Sequence, residues 1–398
     1  MDAATYDVVV VGGGPSGATA ANDLALKGRR VALLDRAGRI KPCGGAIPPR
    51  AIDMFAIPEG QLVAKITRAR MISPKGRKVV IPIRDGFVGM VDREHFDEWL
   101  RARAARNGAA RLTGTYERIE RDPDGVAVVC YRPKEAGQSG EVARIRARAV
   151  IGADGARSNV ARQEIPGGQD IRYVIAYHEI VESPRAGMAD FAPDQCDVYY
   201  DGRISPDFYG WVFPHGAQTS VGMGTERSDF SVKQATADLR AVAGLDGVGT
   251  IRREGAPIPL QPLRRWDNGR DVVLAGDAAG VVAPSSGEGI FYAMFGGRVA
   301  ADAVEEMLAT GKARALARAR SRFMRAHGGV FWILRIMQDH WYVNDDRRER
   351  FVAICRDKDV QELTFDAYMN KELVKARPLA HVRIFFKNLA HLSGLIPA

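Results

Sequence analysis

Gly12, Gly14 and Gly17 stand directly after the apolar run Val8 to Val11 and directly before the helix-like stretch Ala18 to Lys27. A strand that turns into a helix through glycines at this spacing is a βαβ opening built around an anion. The first glycine permits the tight turn, the second lets backbone approach a pyrophosphate, and the third lets helix and strand pack closely. Pro15, Ser16 and Ala18 fill the turn and the first helical positions, where unpaired N–H groups and the positive end of the helix dipole favour a phosphate. Asp35 ends the second strand, Val31 to Leu34, where a carboxylate can accept from ribose hydroxyls, and Arg36 follows it. The pattern points to a bound dinucleotide without saying which one.

Beyond Lys65 the pattern changes. Two short alternating runs around Pro74, Lys75 and Gly76 read as a hairpin, and a helix-like stretch from Glu94 to Arg106 follows. The apolar Ala149 to Ile151, just before Gly152, reads as a return to the first domain. From Tyr173 to about Thr225, β-branched and aromatic residues recur at period two, with Asp201-Gly202 and His215-Gly216 as turns, which predicts an antiparallel sheet. Val272 to Ala275 is again a buried strand, leading through a glycine-rich loop into a long helix from Gly289 to Leu308. The expected division is a nucleotide-binding domain over 1–65, 90–170 and 265–312, a substrate-binding β-sheet domain over 66–89 and 171–264, and a helical C-terminal region over 313–398.

The 57 basic residues exceed the 48 acidic ones by 9, a balance that suits an anionic cofactor or membrane surface as readily as nucleic acid. The excess is scattered as single arginines along helix-like stretches, such as Arg314, Arg318 and Arg325, so no nucleic-acid partner is expected. Cys43, Cys130, Cys196 and Cys355 form no CxxC pair and suggest neither a metal site nor a disulfide framework, as suits a reducing cytoplasm. Met1 leads into the strand at Tyr6 without a basic, apolar leader, and no apolar run reaches the roughly 20 residues of a spanning helix. The expectation is a cytoplasmic protein whose membrane contact, if any, is peripheral.

Two later segments repeat the arrangement of a strand ending in an acid. One is Ile151 to Ser158, with Asp154 and Gly155; the other is Val272 to Gly280, with Gly276 and Asp277, continuing to Pro284, Gly287, Gly289 and Ile290. With three such motifs the chain resembles the flavoprotein hydroxylase and reductase superfamily, an α/β fold with a Rossmann-type domain. The resemblance implies FAD, with the second motif near its pyrophosphate and the third at its ribityl chain. Asp277 at a strand end can accept from a ribityl hydroxyl. Gly287 and Gly289 allow backbone N–H groups near the pyrimidine edge of the flavin, which becomes anionic on reduction. Arg93 holds a position that in the superfamily reaches the cofactor; taken by itself it is a helix-start residue. No second GxGxxG occurs, so NADPH, the implied donor, would bind transiently, and ferredoxin stands as the alternative.

Two further stretches resemble the geranylgeranyl reductase family, and within it the bacteriochlorophyll-pathway branch. Pro42-Cys43-Gly44-Gly45 resembles that family's cysteine-glycine-glycine loop beside the flavin, and Pro206 to Pro214 matches its pattern PxxYxWxFP through Tyr209, Trp211 and Phe213. In a strand these three aromatics share one face, opposite Gly210 and Val212. Such a wall suits a long apolar chain, or it is the core of the second domain. Cys43 is likewise either a small buried hydrophobe or a participant in chemistry.

The resemblance implies stepwise saturation of isolated double bonds, turning a geranylgeranyl group into phytyl. The group is carried by a bacteriochlorophyll pigment, by a diphosphate or by an archaeal-type lipid. Each bond takes a hydride on one carbon and a proton on the other, so the protein must position the alkene, exclude water and supply an acid. Cys43 is the first candidate for that acid and Tyr209 the second. In the tail, Val382, Ile384, Phe385, Phe386, Leu389 and Leu392 alternate with Arg383, Lys387 and His391, a face for a photosynthetic membrane or for the body of the protein. Two rival readings share the cofactor motifs: a flavin monooxygenase that hydroxylates an aromatic ring, and a non-catalytic FAD or prenyl-lipid binding protein. The cysteine-glycine-glycine loop and the aromatic motif argue against the hydroxylase.

Overall fold

The apolar runs that read as strands assemble into three sheets. The computed structural model describes residues 5–362 apart from 37, 39, 85, 137–139 and 186–189, together with Met369 and Lys371. Strands Ala110–Arg121, Val31–Asp35, Thr5–Val11, Ala143–Gly152 and Val272–Leu274 lie side by side in that order and run parallel. Val8 to Val11 and Val272 to Leu274 are buried along their whole length, which is why they are continuous apolar runs and not alternating ones. Ala127–Pro133 completes this sheet by pairing antiparallel with the far ends of both Ala110–Arg121 and Ala143–Gly152.

Helix Pro15–Leu26 packs against helices Arg93–Arg106 and Ile290–Thr310. The approach is close: a Cβ on Gly297 would lie 2.2 Å from the Ser16 carbonyl oxygen. Arg93 opens its helix because Asp92 caps it, accepting the Glu94 N–H at 2.9 Å.

The second sheet has seven strands, in the order Thr250–Pro259, Tyr173–Glu182, Gln218–Thr225, Gly210–His215, Gln195–Tyr199, Arg68–Ile72 and Lys78–Pro82. The hairpin at 74–76 forms its edge, and Arg68–Ile72 joins Gln195–Tyr199 in parallel. Val88–Met90, which the sequence groups with that hairpin, pairs instead with Ala46–Ile47 and Ala64–Ile66 in a small third sheet. Strands of two or three residues are too short to show a period, so none of these three was legible.

In the C-terminal region, helix Arg318–Trp341 packs on Ile290–Thr310, burying Phe323 and Phe331 against Tyr292. Arg348 in helix Asp345–Ile354 is buried and donates to the carbonyls of Tyr342 and Pro206, which ties this region to the aromatic segment. The apolar and basic positions expected at 382–392 lie outside the described residues. Among the described residues, no helix is long and apolar enough to cross a membrane, and no cluster of His, Cys, Asp and Glu is arranged for a metal.

Candidate active site

The first glycine turn is set by sterics on three sides. Gly12 has φ of 105° and donates to the Leu34 carbonyl at 2.8 Å; a Cβ there would meet the Ala153 carbonyl at 2.3 Å. A Cβ on Gly17 would lie 1.8 Å from the Gly12 carbonyl oxygen. Asp35 accepts the Gly13 N–H at 2.7 Å, which orients its carboxylate at the strand end, whereas Arg36 is exposed. Gly14 has open space in front of it and gives the helix no side-chain cap. Beside it the buried Ser16 hydroxyl has no hydrogen-bond partner, and Ala18 is packed in the helix interior. An uncapped helix start next to an orphaned buried hydroxyl fits a dinucleotide phosphate, which would satisfy both.

The second motif lies against the first glycine turn, as expected, but through its backbone. The Asp154 carboxylate accepts from the Ser158 hydroxyl and from the Asn159 and Val160 N–H groups at 2.7 and 3.2 Å, capping helix Asn159–Glu164. What this loop presents to the Gly12 turn is backbone at Ala153 and Asp154, not the Asp154 side chain, and Gly155 takes the positive φ of 89° that lets the chain leave.

The remaining motifs meet in one cleft of about 670 Å³, its open mouth included. Pro15 from the first turn, Cys43 and Gly44, Arg93, Asp277, Gly287, Gly289, Ile290 and Trp211 all line it. Gly276 sits behind, against Ser16. Lys41 forms an ion pair with Asp277 across the cleft. The loop containing Pro284 is closed by backbone bonds between Ala283 N–H and Glu288 C=O and between Gly287 N–H and Ala283 C=O, both 2.9 Å. Gly289, at the N-cap of helix Ile290–Thr310, has no side chain to cap it, and the Glu288 carboxylate accepts the Phe291 N–H of the first turn at 2.9 Å. Arg93 is buried, held by Asp97 at 2.8 and 2.7 Å, and stands beside the Cys43 thiol.

The cysteine-glycine-glycine loop is clamped onto the aromatic strand. A Cβ on Gly44 would lie 3.2 Å from the Phe213 ring; one on Gly45 would lie 2.5 Å from the Val91 carbonyl oxygen and 2.6 Å from His215 Nε2. Gly45 also has φ of 68° and donates its N–H to Cys43 Sγ at 3.4 Å. The aromatic row exists as expected, with Trp211 6.1 Å from Tyr209 and 6.3 Å from Phe213 between ring centres. Tyr209, however, stands behind the cofactor loop. Its hydroxyl donates to the Ser286 carbonyl at 2.6 Å and burial pushes its pKa up, so its proton is held on that loop and not offered to the cleft.

Residues 5–323 match the FAD binding domain family. Geranylgeranyl diphosphate reductase of Rhodobacter capsulatus is 63% identical over 98% of this chain and 98% of that protein. The chain belongs to the geranylgeranyl reductase family of FAD-dependent oxidoreductases. Digeranylgeranylglycerophospholipid reductase of Methanoculleus marisnigri is a more distant relative, 32% identical over 77% of this chain and 78% of that protein. A crystal structure from Thermoplasma acidophilum, described as geranylgeranyl bacteriochlorophyll reductase-like, shares the fold with a TM-score of 0.82 at 22% identity, over 95% of this chain and 100% of that one.

In this reductase one group of polar residues beside the cleft carries no motif. His178 lines the cofactor cleft, while Ser220 and Glu254 line a second cleft of about 630 Å³ that shares Lys41, Cys43 and Arg93 with the first. Burial pushes Glu254 upward, but hydrogen bonds from His178 and Arg252 outweigh it and hold the carboxyl below the ordinary glutamate value. His215, facing the same second cleft, is held below the usual histidine range by burial. The only sequence signal for this group was a glycine, Gly222, inside a strand.

Proposed function

We propose that this reductase saturates the double bonds of a geranylgeranyl group one after another to give phytyl, acting on geranylgeranylated bacteriochlorophyll, with NADPH as a transient donor. The observation that carries this reading is the shared cleft, which Trp211 of the aromatic strand lines together with the cofactor loops and Cys43. Bound FAD supplies a hydride once reduced. The chain does the rest: Gly14, Ser16 and Asp35 hold the nucleotide end, Asp277 and the N–H groups near Gly289 hold the flavin end, and Trp211 and Phe213 lay the prenyl chain against it. Cys43, next to the Arg93 guanidinium, is the acid that faces the alkene. The preference for the pigment rests on the resemblance to the bacteriochlorophyll branch. Such a pigment lies in a bilayer, and a net charge of +9 favours peripheral contact with an anionic photosynthetic membrane.

A second reading, reduction of free geranylgeranyl diphosphate, is favoured by Lys41, Arg93 and Arg252 around the second cleft, where a diphosphate would find cations. The test offers both substrates side by side without oxygen, with NADPH or reduced ferredoxin as donor, and follows mass gains of two hydrogens per step. Gains on the pigment alone support the first reading, and gains on the diphosphate alone support the second. Oxygen incorporation in air would mark a hydroxylase, and no turnover on any prenyl substrate would leave a binding protein.

A further inference from the structure

Glu254, His178, Gly222 and Trp211 occupy one row across four neighbouring strands, because His178 is in register with both Glu254 and Gly222, and Gly222 with Trp211. The missing side chain at Gly222 makes the row possible: a Cβ there would lie 2.4 Å from His178 Cβ and 2.6 Å from Trp211 Cζ2. Ser220, two residues before Gly222 and so on the same face, fills the gap with a hydroxyl. His178 Nδ1 is 2.8 Å from Ser220 Oγ, and its Nε2 is 3.1 Å from Glu254 Oε2. Trp211 Nε1–H donates to the same Ser220 oxygen at 3.1 Å.

These contacts limit how the protons can be arranged. An indole only donates, so the Ser220 oxygen keeps one lone pair and one proton for its other partners. Neutral His178 donates Nε2–H to the Glu254 carboxylate and accepts the Ser220 proton at Nδ1. The imidazolium donates at both nitrogens, and the Ser220 hydroxyl then points its proton into the second cleft, which Cys43 also faces. Both states keep Trp211, His178 and Glu254 hydrogen-bonded.

We propose that Glu254, His178 and Ser220 form the proton supply of the reducing centre, recharging the Cys43 acid after each saturation. This rests on the reading that the chain saturates prenyl double bonds. In each step the hydride, taken from the reduced flavin, brings the electron pair for one new C–H bond, and the alkene π pair takes the Cys43 proton to form the other. The thiolate left behind takes the Ser220 proton, Ser220 takes the Nδ1 proton of His178, and the imidazole, which keeps its Nε2 proton on Glu254, regains the Nδ1 proton through the Ser220 hydroxyl, which lines the second cleft and meets solvent there. No electrons move in this recharging. A supply from behind is needed because a prenyl chain with several double bonds fills the aromatic side of the cleft while the acid is being used repeatedly. The charged and titratable groups that face His178 are Glu254 with Arg252 behind it at 2.9 Å, His215 across the second cleft, and Lys41, Cys43, Arg93 and Asp277 on the cofactor side.

His178→Gln keeps a hydrogen-bonding side chain that cannot carry the proton. The FAD-loaded variant is given excess dithionite as electron source and a geranylgeranylated substrate. The first saturation per enzyme is expected at the wild-type rate and later ones about 100-fold slower, with KM and flavin content unchanged. Ser220→Ala is expected to give the same burst followed by the same slow phase. Without turnover, ¹⁵N resonances of neutral His178 should show the proton on Nε2, and Glu254→Gln should change that tautomer balance. Later saturations at the wild-type rate in both variants overturn the proposal. So does a first saturation slowed together with a raised KM, which would make the line a support for Trp211 alone. A wild-type enzyme that saturates no prenyl substrate refutes the functional reading instead.

Discussion

Substituting alanine at Gly45 tests whether the loop bearing Cys43 is clamped as the geometry requires. The residue sits at φ of 68°, where a non-glycine residue costs about 1–2 kcal/mol. The added methyl would also lie 2.5 Å from the Val91 carbonyl oxygen and 2.6 Å from His215 Nε2. One neighbour is backbone and the other a buried ring, so neither yields freely, and relief of such overpacking typically costs another 1–3 kcal/mol, for a total of about 3. Over 398 residues the unfolding entropy is roughly 0.8 kcal/mol/K, which turns that loss into a fall in Tm of about 4 °C. The loop relieves the overlap by moving, and a displacement of about 1 Å at the acid is worth about 100-fold in rate. Gly45→Ala is therefore expected to keep its FAD while losing most alkene saturation. Gly44→Ala is the control, because its methyl meets only the edge of the Phe213 ring at 3.2 Å, and that ring can give by a few tenths of an ångström. Thermal melts, flavin absorbance and stepwise mass analysis on both variants decide the matter. A Gly45→Ala protein that melts within about 1 °C of wild type and reduces every bond at the normal rate would show that no such clamp exists.

Three further outcomes follow from buried polar groups. Ser16→Ala removes a hydroxyl with no partner in the protein, so the FAD-free protein should be no less stable, while FAD binds about fivefold more weakly in a fluorescence titration; a destabilised FAD-free protein would refute this. Lys371 and Glu288 form an ion pair at 2.9 Å with both side chains 2% exposed, so Lys371→Met should cost about 3–5 kcal/mol and the double variant with Glu288→Gln clearly less, as read from denaturant melts. Burial pushes His327, enclosed by Phe291, Tyr292, Phe295 and Phe323, down to about 4. The unfolded chain takes up that proton near pH 6.5 and the folded one resists it. Stability is therefore full above pH 6.5 and falls by roughly 3 kcal/mol on the way to pH 4, a loss that His327→Phe should remove from the Tm-against-pH curve.

The parts of the site that were legible in the sequence are those whose physics is local. A glycine packed so closely on backbone that a Cβ would meet an oxygen at 1.8–2.3 Å is needed wherever such a turn occurs, so Gly12 and Gly17 betray the turn without any knowledge of the rest. The aromatic row was legible for the same reason, since period two places Tyr209, Trp211 and Phe213 on one face before any partner strand is known. Side-chain direction at strand ends was not. Asp154 and Asp277 occupy equivalent positions in their motifs, yet Ser158 and the helix it starts draw the first carboxylate away, while Lys41, distant in sequence, holds the second toward the cleft. Tyr209 has the Ser286 carbonyl within reach of its hydroxyl, whereas Trp211 lines the cleft and donates to Ser220.

The least legible part is also the part with the most chemistry. Register between strands is a tertiary quantity, and the line from Glu254 to Trp211 depends on register at three successive strand pairs. A slip of one residue at any of them would send one member to the opposite face of the sheet and break the line. Alternation alone marks His178 as one more inward position on a half-buried strand. What distinguishes it is that Gly222 leaves a hole beside it, with Ser220 and Glu254 on either side to bond both ring nitrogens. A strand glycine facing a lone histidine is thus a sharper pointer to buried polar chemistry than the histidine itself. Gly222→Ala accordingly should disturb Trp211 and His178 together, although it touches neither the substrate nor the cofactor.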